Sequence, residues 1–182
     1  MRPLYGQGFF NVCAGGVIWY TIVFDYEDRE ALYSRLLRDP RLAGEEVATL
    51  RANMQRFLDE ERILVNGSET RARVLHVYID TRGERRRATA VFTVEIPFRP
   101  RPGRNVYEDY YEPERAEYPY TVTWTLPPCA SIVSYEMPGR ASMPSPSVLE
   151  VRVDAGARIR GYESLVFDLS NCQPHHTPHP HP

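Results

Sequence analysis

The spacing of apolar positions changes character along the chain, and each change predicts a different element. Residues 8–24, "GFFNVCAGGVIWYTIVF", carry no charge and are rich in Val, Ile, Tyr, Trp and Phe. Gly15-Gly16 interrupts the run, which predicts a β-hairpin within residues 1–24, Phe9 to Ala14 against Val17 to Phe24. Seventeen residues with Asn11 and two glycines in the middle make a poor membrane span, and "DYEDRE" stands where a signal peptide would be cleaved.

Residues 27–61 then follow a helical period. In "DREALYSRLLRDP", Asp28 suits an N-cap, Leu32, Leu36 and Leu37 share a face, and Asp39-Pro40 marks an end. A second helix is predicted from about residue 45 to 61, with Val47, Leu50, Met54, Phe57 and Leu58 in one stripe.

From residue 71 to 169 the period is two. "RVLHVYID" and "ATAVFTVEIPF" flank "TRGERRR" as a hairpin, with Ala88, Ala90, Phe92, Val94, Ile96 and Phe98 on one face. Another strand begins near Tyr118, and three more lie at "SIVSYEM", "SVLEVRV" and "YESLVFDLS". Strands at this spacing, with Gly/Pro-rich turns, predict one α+β domain over residues 1–170. It is mainly an antiparallel β-sandwich or barrel, with two helices inserted after the N-terminal hairpin. Residues 171–182, "NCQPHHTPHPHP", form a His/Pro-rich tail whose composition builds no packed core.

Composition sharpens this only in places. At 182 residues the chain can bury a core without a metal staple, and a formal charge of -2 gives no push toward nucleic acid or anionic membrane. All 22 basic residues are arginine, which fits ion-pair networks in a thermophile and equally a GC-rich genome. Cys13, Cys129 and Cys172 are dispersed, with no CxxC pair. Free buried thiols in a cytoplasmic protein are expected, a Cys129–Cys172 bridge being the alternative.

Candidate chemistry concentrates in residues 104–124, "RNVYEDYYEPERAEYPYTVTW". Tyr118 and Tyr120 belong to a strand alternation. Tyr107, Glu108, Asp109, Tyr110, Tyr111, Glu112 and Glu114 are expected on a loop that docks a protein or polymer partner, or a second copy of the chain, because tyrosines anchor interfaces. Carboxylates this dense repel unless a cation or arginines separate them, and Arg82, Arg85, Arg86, Arg87, Arg99, Arg101 and Arg104 lie just upstream. The expected function is a non-enzymatic binding or assembly module. One alternative is a carbohydrate-acting hydrolase using paired carboxylates or a divalent cation, in which two of Glu108, Asp109, Glu112, Glu114 and Glu136 converge in a pocket and one titrates high. Another is a subunit of a larger complex, with the apolar N-terminal segment buried in a neighbour.

No cofactor is expected. A divalent cation is the one candidate, at the acids or at His175, His176, His179 and His181. His76, mid-strand, reads as a residue bonded to its neighbours. No nucleophile elbow, P-loop or GxGxxG is present, so nucleophilic catalysis and nucleotide binding lack their usual motifs.

Overall fold

A computed structural model describes residues 1–172. Along the chain, β1 (Arg2–Cys13) and β2 (Val17–Glu27) are followed by α1 (Leu32–Leu36) and α2 (Pro40–Glu60). Next come β3 (Arg62–Val65), β4 (Ser68–Thr70), β5 (Arg73–Asp80), β6 (Arg87–Pro97), β7 (Arg104–Tyr110) and β8 (Glu114–Arg115). The last are β9 (Tyr120–Thr125), β10 (Ser131–Glu136), β11 (Arg140–Ser145), β12 (Val148–Val153), β13 (Arg158–Ile159) and β14 (Tyr162–Asp168).

The strands form a seven-stranded sheet, β11-β12-β9-β1-β2-β6-β5, and a five-stranded sheet, β10-β14-β7-β3-β4; β13 and β8 pair separately. The architecture is α+β and sandwich-like, with every strand pair antiparallel except β1 with β9.

The core follows from register. On the inner face of the larger sheet, Phe10 of β1 lies opposite Tyr20 of β2 and Trp124 of β9. The three rings stack, Phe10 to Tyr20 at 3.8 Å and Phe10 to Trp124 at 4.0 Å between centroids. From the other sheet, Tyr107 meets Trp124 edge-on at 4.8 Å. Such pairs contribute about 0.5–1.5 kcal/mol each beyond the area they bury. Leu165 and Phe167 of β14, both fully buried, complete the facing layer.

The helices differ from the periodicity-based expectation. Asp39 and Pro40 start α2 rather than end α1: Asp39 Oδ1 accepts from the Arg41 and Leu42 backbone N–H groups, and Pro40 fills the first turn, where a missing N–H costs nothing. Asp28 does not occupy the N-cap position, which is Ala31; its buried carboxylate accepts from the Tyr33 N–H at 2.8 Å. In α2, Leu58 is buried and Val47, Leu50 and Met54 are partly covered, whereas Phe57 is 57% exposed beneath the Arg56 guanidinium. The helix also shields an edge. Arg51 and Gln55 donate to the Val74 and Ala72 carbonyls, and Gln55 accepts from the Val74 N–H, so side chains satisfy backbone groups at the start of β5.

Cys129 and Cys172 are joined in a disulfide with Cα atoms 5.1 Å apart, which corrects the expectation of free thiols there. The Pro127–Ala130 turn and the chain after β14 bring them together; Cys13 is free. No helix among the described residues is long and apolar enough to cross a membrane.

Candidate functional site

The segment expected as a docking loop is strand β7, paired on both sides. Tyr107 lies opposite Leu165 of β14 and Val65 of β3, and Asp109 lies opposite Glu163 and Ile63. Strand alternation therefore splits the tyrosines and acids between two faces. Tyr107 (1% exposed) and Asp109 (6%) point into the sandwich, and half-buried Tyr111 follows them. Tyr110 (37% exposed) stays outside, its ring 5.9 Å from the Arg62 guanidinium. Glu108 is on the outer face too, accepting from the hydroxyls of Tyr110 and Tyr162. Glu112 is exposed beyond the strand, and Glu114 is exposed on β8. None of the ion pairs among the described residues joins the upstream arginines to these acids. His175, His176, His179 and His181 lie outside the described residues. Among those described, no group of three His, Cys, Asp or Glu is placed to hold a metal ion.

Tyr107 and Asp109 of β7 border a cleft of about 270 Å³ between the sheets. Its origin is two glycines. On β1 the inward positions are Gly6, Gly8, Phe10 and Val12. Phe10 fills its row with the ring stack, but the next two rows have no β1 side chain. Gly8 sits between Ile22 and Val122, and Gly6 between Phe24 and Tyr120. A Cβ on Gly8 would stand 3.1 Å from the Tyr20 ring, and one on Gly6 would stand 3.2 Å from Tyr118. The walls are rings: Phe10, Tyr20, Phe24, Tyr111, Tyr118 and Tyr120. Leu58, Ile63, Ala72 and Ile96 add an aliphatic side.

Facing the glycines are three carboxylates, Asp109, Glu163 and Glu61, from β7, β14 and the junction of α2 with β3. Asp109 and Glu163 are directly opposed across the ladder, a position where Cβ atoms stand about 5 Å apart and like charges repel. Burial drives the Glu163 carboxyl up to about 8, with Asp109 adding to the rise. Burial and then the charges of Asp109 and Glu163 push Glu61 up in the same way. Asp109 is raised by burial and restrained by hydrogen bonds from the Tyr107 hydroxyl (3.2 Å) and the Tyr110 backbone. Burial thus favours the neutral form of all three carboxyls. Only two buried side-chain polar atoms among the described residues lack a partner, Trp124 Nε1 and Asp109 Oδ1. The second belongs to a cleft-lining residue.

Of the predicted site residues, the structure brings Tyr107, Asp109, Tyr111 and Glu114 to the cleft and leaves Glu108, Tyr110 and Glu112 away from it. Glu61, Glu163, Tyr20, Gly6 and Gly8 were missed. The legible signal was in "GQGFF", where glycine takes alternate positions of a strand otherwise filled with rings.

No protein-family model matches the sequence, and no curated protein matches it. Among solved structures, the chain is similar to the folded domain of LppM from Mycobacterium tuberculosis, determined by NMR. The identity is 9%, the match covers 91% of each chain, and the TM-score is 0.39. That score is too low to carry any property across.

Proposed function

We propose that this chain is a binding protein whose ligand is a small organic molecule held in the cleft between the two sheets. The observation that carries this is Asp109 Oδ1, a carboxylate oxygen of a residue 6% exposed, on the cleft wall and without a hydrogen-bond donor. An unsatisfied buried acceptor costs about 1–3 kcal/mol, more when charged, and a ligand donor removes that cost. A concave, ring-lined space with few convergent polar groups is the usual form of a small-molecule site. The expected binding role thus moves from an outer loop to the interior. The Cys129–Cys172 bridge supports action in an oxidising compartment, or in the cytosol of a thermophile, where disulfides also persist.

The test is thermal stabilisation by a panel of small amphiphiles, read for the native chain and for Gly8→Val. A ligand at a hundred times its Kd adds about 2.7 kcal/mol of stability. Gly8→Val crowds Tyr20 and Val122, where a Cβ alone would stand 3.1 Å from the ring, so it removes the response; near-ultraviolet dichroism checks that the fold persists, and Gly8→Ala serves as the milder variant. Equal responses from both proteins refute the assignment.

A hydrolytic reading is favoured by one observation, the directly opposed carboxyls of Asp109 and Glu163, since paired acids in a cleft are what glycoside hydrolysis uses. Turnover of aryl glycosides that vanishes in both Asp109→Asn and Glu163→Gln supports it; no turnover across the anomeric and sugar panel removes it.

A further inference from the structure

We infer that the ligand is an organic cation, a primary or secondary ammonium that donates to Asp109 Oδ1 and lays its apolar body among the rings of the cleft. This rests on the cleft being a binding site, and it adds the chemical class of the occupant.

The partnerless oxygen is an acceptor, so its complement is a donor. The charge balance of the cleft adds the sign. Asp109, Glu61, Glu163 and, at the rim, Glu114 line it, and no arginine or histidine does, although the chain carries 22 arginines. Natural cores pair their buried acids. Here the counter-charge is missing on the wall that faces the open space, and an incoming ammonium supplies it. The remaining walls suit the same guest, since Tyr and Phe rings attract cations through their faces.

Entry of the cation favours ionised carboxyls, so a proton leaves as it binds. The titratable groups facing Asp109 and Glu163 are Glu61 at the end of α2, Tyr107 and Tyr111 on and after β7, Tyr20 on β2, Tyr120 on β9 and Glu114 on β8. The tyrosine hydroxyls are held neutral by burial, which leaves the three interior carboxyls, Asp109, Glu163 and Glu61, to respond. Burial has raised all three, so they are protonated at low pH and release protons as pH rises. Binding therefore tightens with rising pH, by up to about tenfold per pH unit for each linked proton.

The experiment is calorimetric titration of the full chain with benzylammonium chloride, and with benzyl alcohol and benzoate as neutral and anionic counterparts. It is run from pH 6 to 8.5 at constant ionic strength in buffers of different ionisation heat. Benzylammonium is expected to bind at least about tenfold more tightly than the alcohol at pH 8, to release protons, and to weaken toward pH 6. Asp109→Asn and Glu163→Gln, checked for native near-ultraviolet dichroism, each remove that preference. Equal or better binding of the alcohol or of benzoate overturns the cation assignment and leaves the cleft a binding site. Binding of no compound, with native chain and Gly8→Val alike, overturns both.

Discussion

Replacing Glu163 by glutamine should flatten the pH dependence of stability. The Glu163 carboxyl ordinarily titrates at 4.5 and is pushed up to about 8 in the fold, by burial first and the Asp109 charge second. Its folded form therefore binds the proton more tightly than the unfolded chain does. Where the folded state holds the extra proton, stability falls as pH rises; the loss begins above about 4.5 and is complete above about 8. At about 1.4 kcal/mol per pH unit, the interval corresponds to about 5 kcal/mol. Glu163 keeps some contact with the open cleft, so water screens part of that, and about half, 2–3 kcal/mol, is the expected loss. For a chain of this length that lowers Tm by about 5–10 °C between pH 5 and pH 9. Glutamine keeps the shape and carries no charge at any pH, so Glu163→Gln matches the native protein near pH 5 and exceeds it by 2–3 kcal/mol at pH 9. Urea unfolding at half-unit pH steps measures both curves, and groups remote from Glu163 cancel in the difference. A native protein whose stability is level or rises over that range, or a variant with an unchanged slope, refutes the placement of a protonated carboxyl in the cleft.

Asp109→Asn removes the other opposed charge and retains an oxygen for the Tyr107 hydroxyl, so it should stabilise the protein by about 1 kcal/mol at pH 8 and by little at pH 5, seen in the same unfolding series. Tyr107→Ala empties a fully buried site against Trp124 and should cost about 3–5 kcal/mol, whereas Tyr110→Ala, on the outer face, should cost under about 1; equal effects in chemical denaturation would contradict the register of β7. Reducing the Cys129–Cys172 bridge, which closes a span of 43 residues, should lower stability by about 4 kcal/mol. A thiol assay on the denatured, unreduced chain should count one free thiol, rising to three after reduction.

Much of the fold was legible in the chain because apolar alternation reports burial directly. The β5–β6 hairpin, the inward set from Ala88 to Ile96 and the Trp124 strand all follow from it. Strand β7 was not legible, since its inward residues are Asn105, Tyr107 and Asp109. Two of those three are polar, and so the segment reads as solvated. Asn105 is satisfied by the turn it ties together: Asn66 and the Arg101 N–H donate to it, and it donates to the Arg101 and Gly103 carbonyls. Asp109 belongs to the cleft. A cleft inside a sandwich puts polar residues at positions that otherwise signal core, so the pattern breaks where the candidate site lies. Glu61 and Glu163 escaped for a related reason. They are brought beside Asp109 by pairing between distant strands, which no local spacing encodes.

The parallel pairing of β1 with β9 sets the order in which this chain can be assembled. The first strand finds one of its two neighbours at once in β2, but the other, beginning at Gly6 opposite Tyr120, is more than a hundred residues away. During synthesis the Phe10 and Tyr20 rings stay uncovered until Trp124 and Tyr107 have emerged. Non-local closure of this kind slows folding and prolongs the exposure of sticky surface. Nascent chains stalled before residue 120 should therefore be held by chaperones or aggregate, and a protein that folds poorly when expressed quickly is the expected outcome of placing its central strand first.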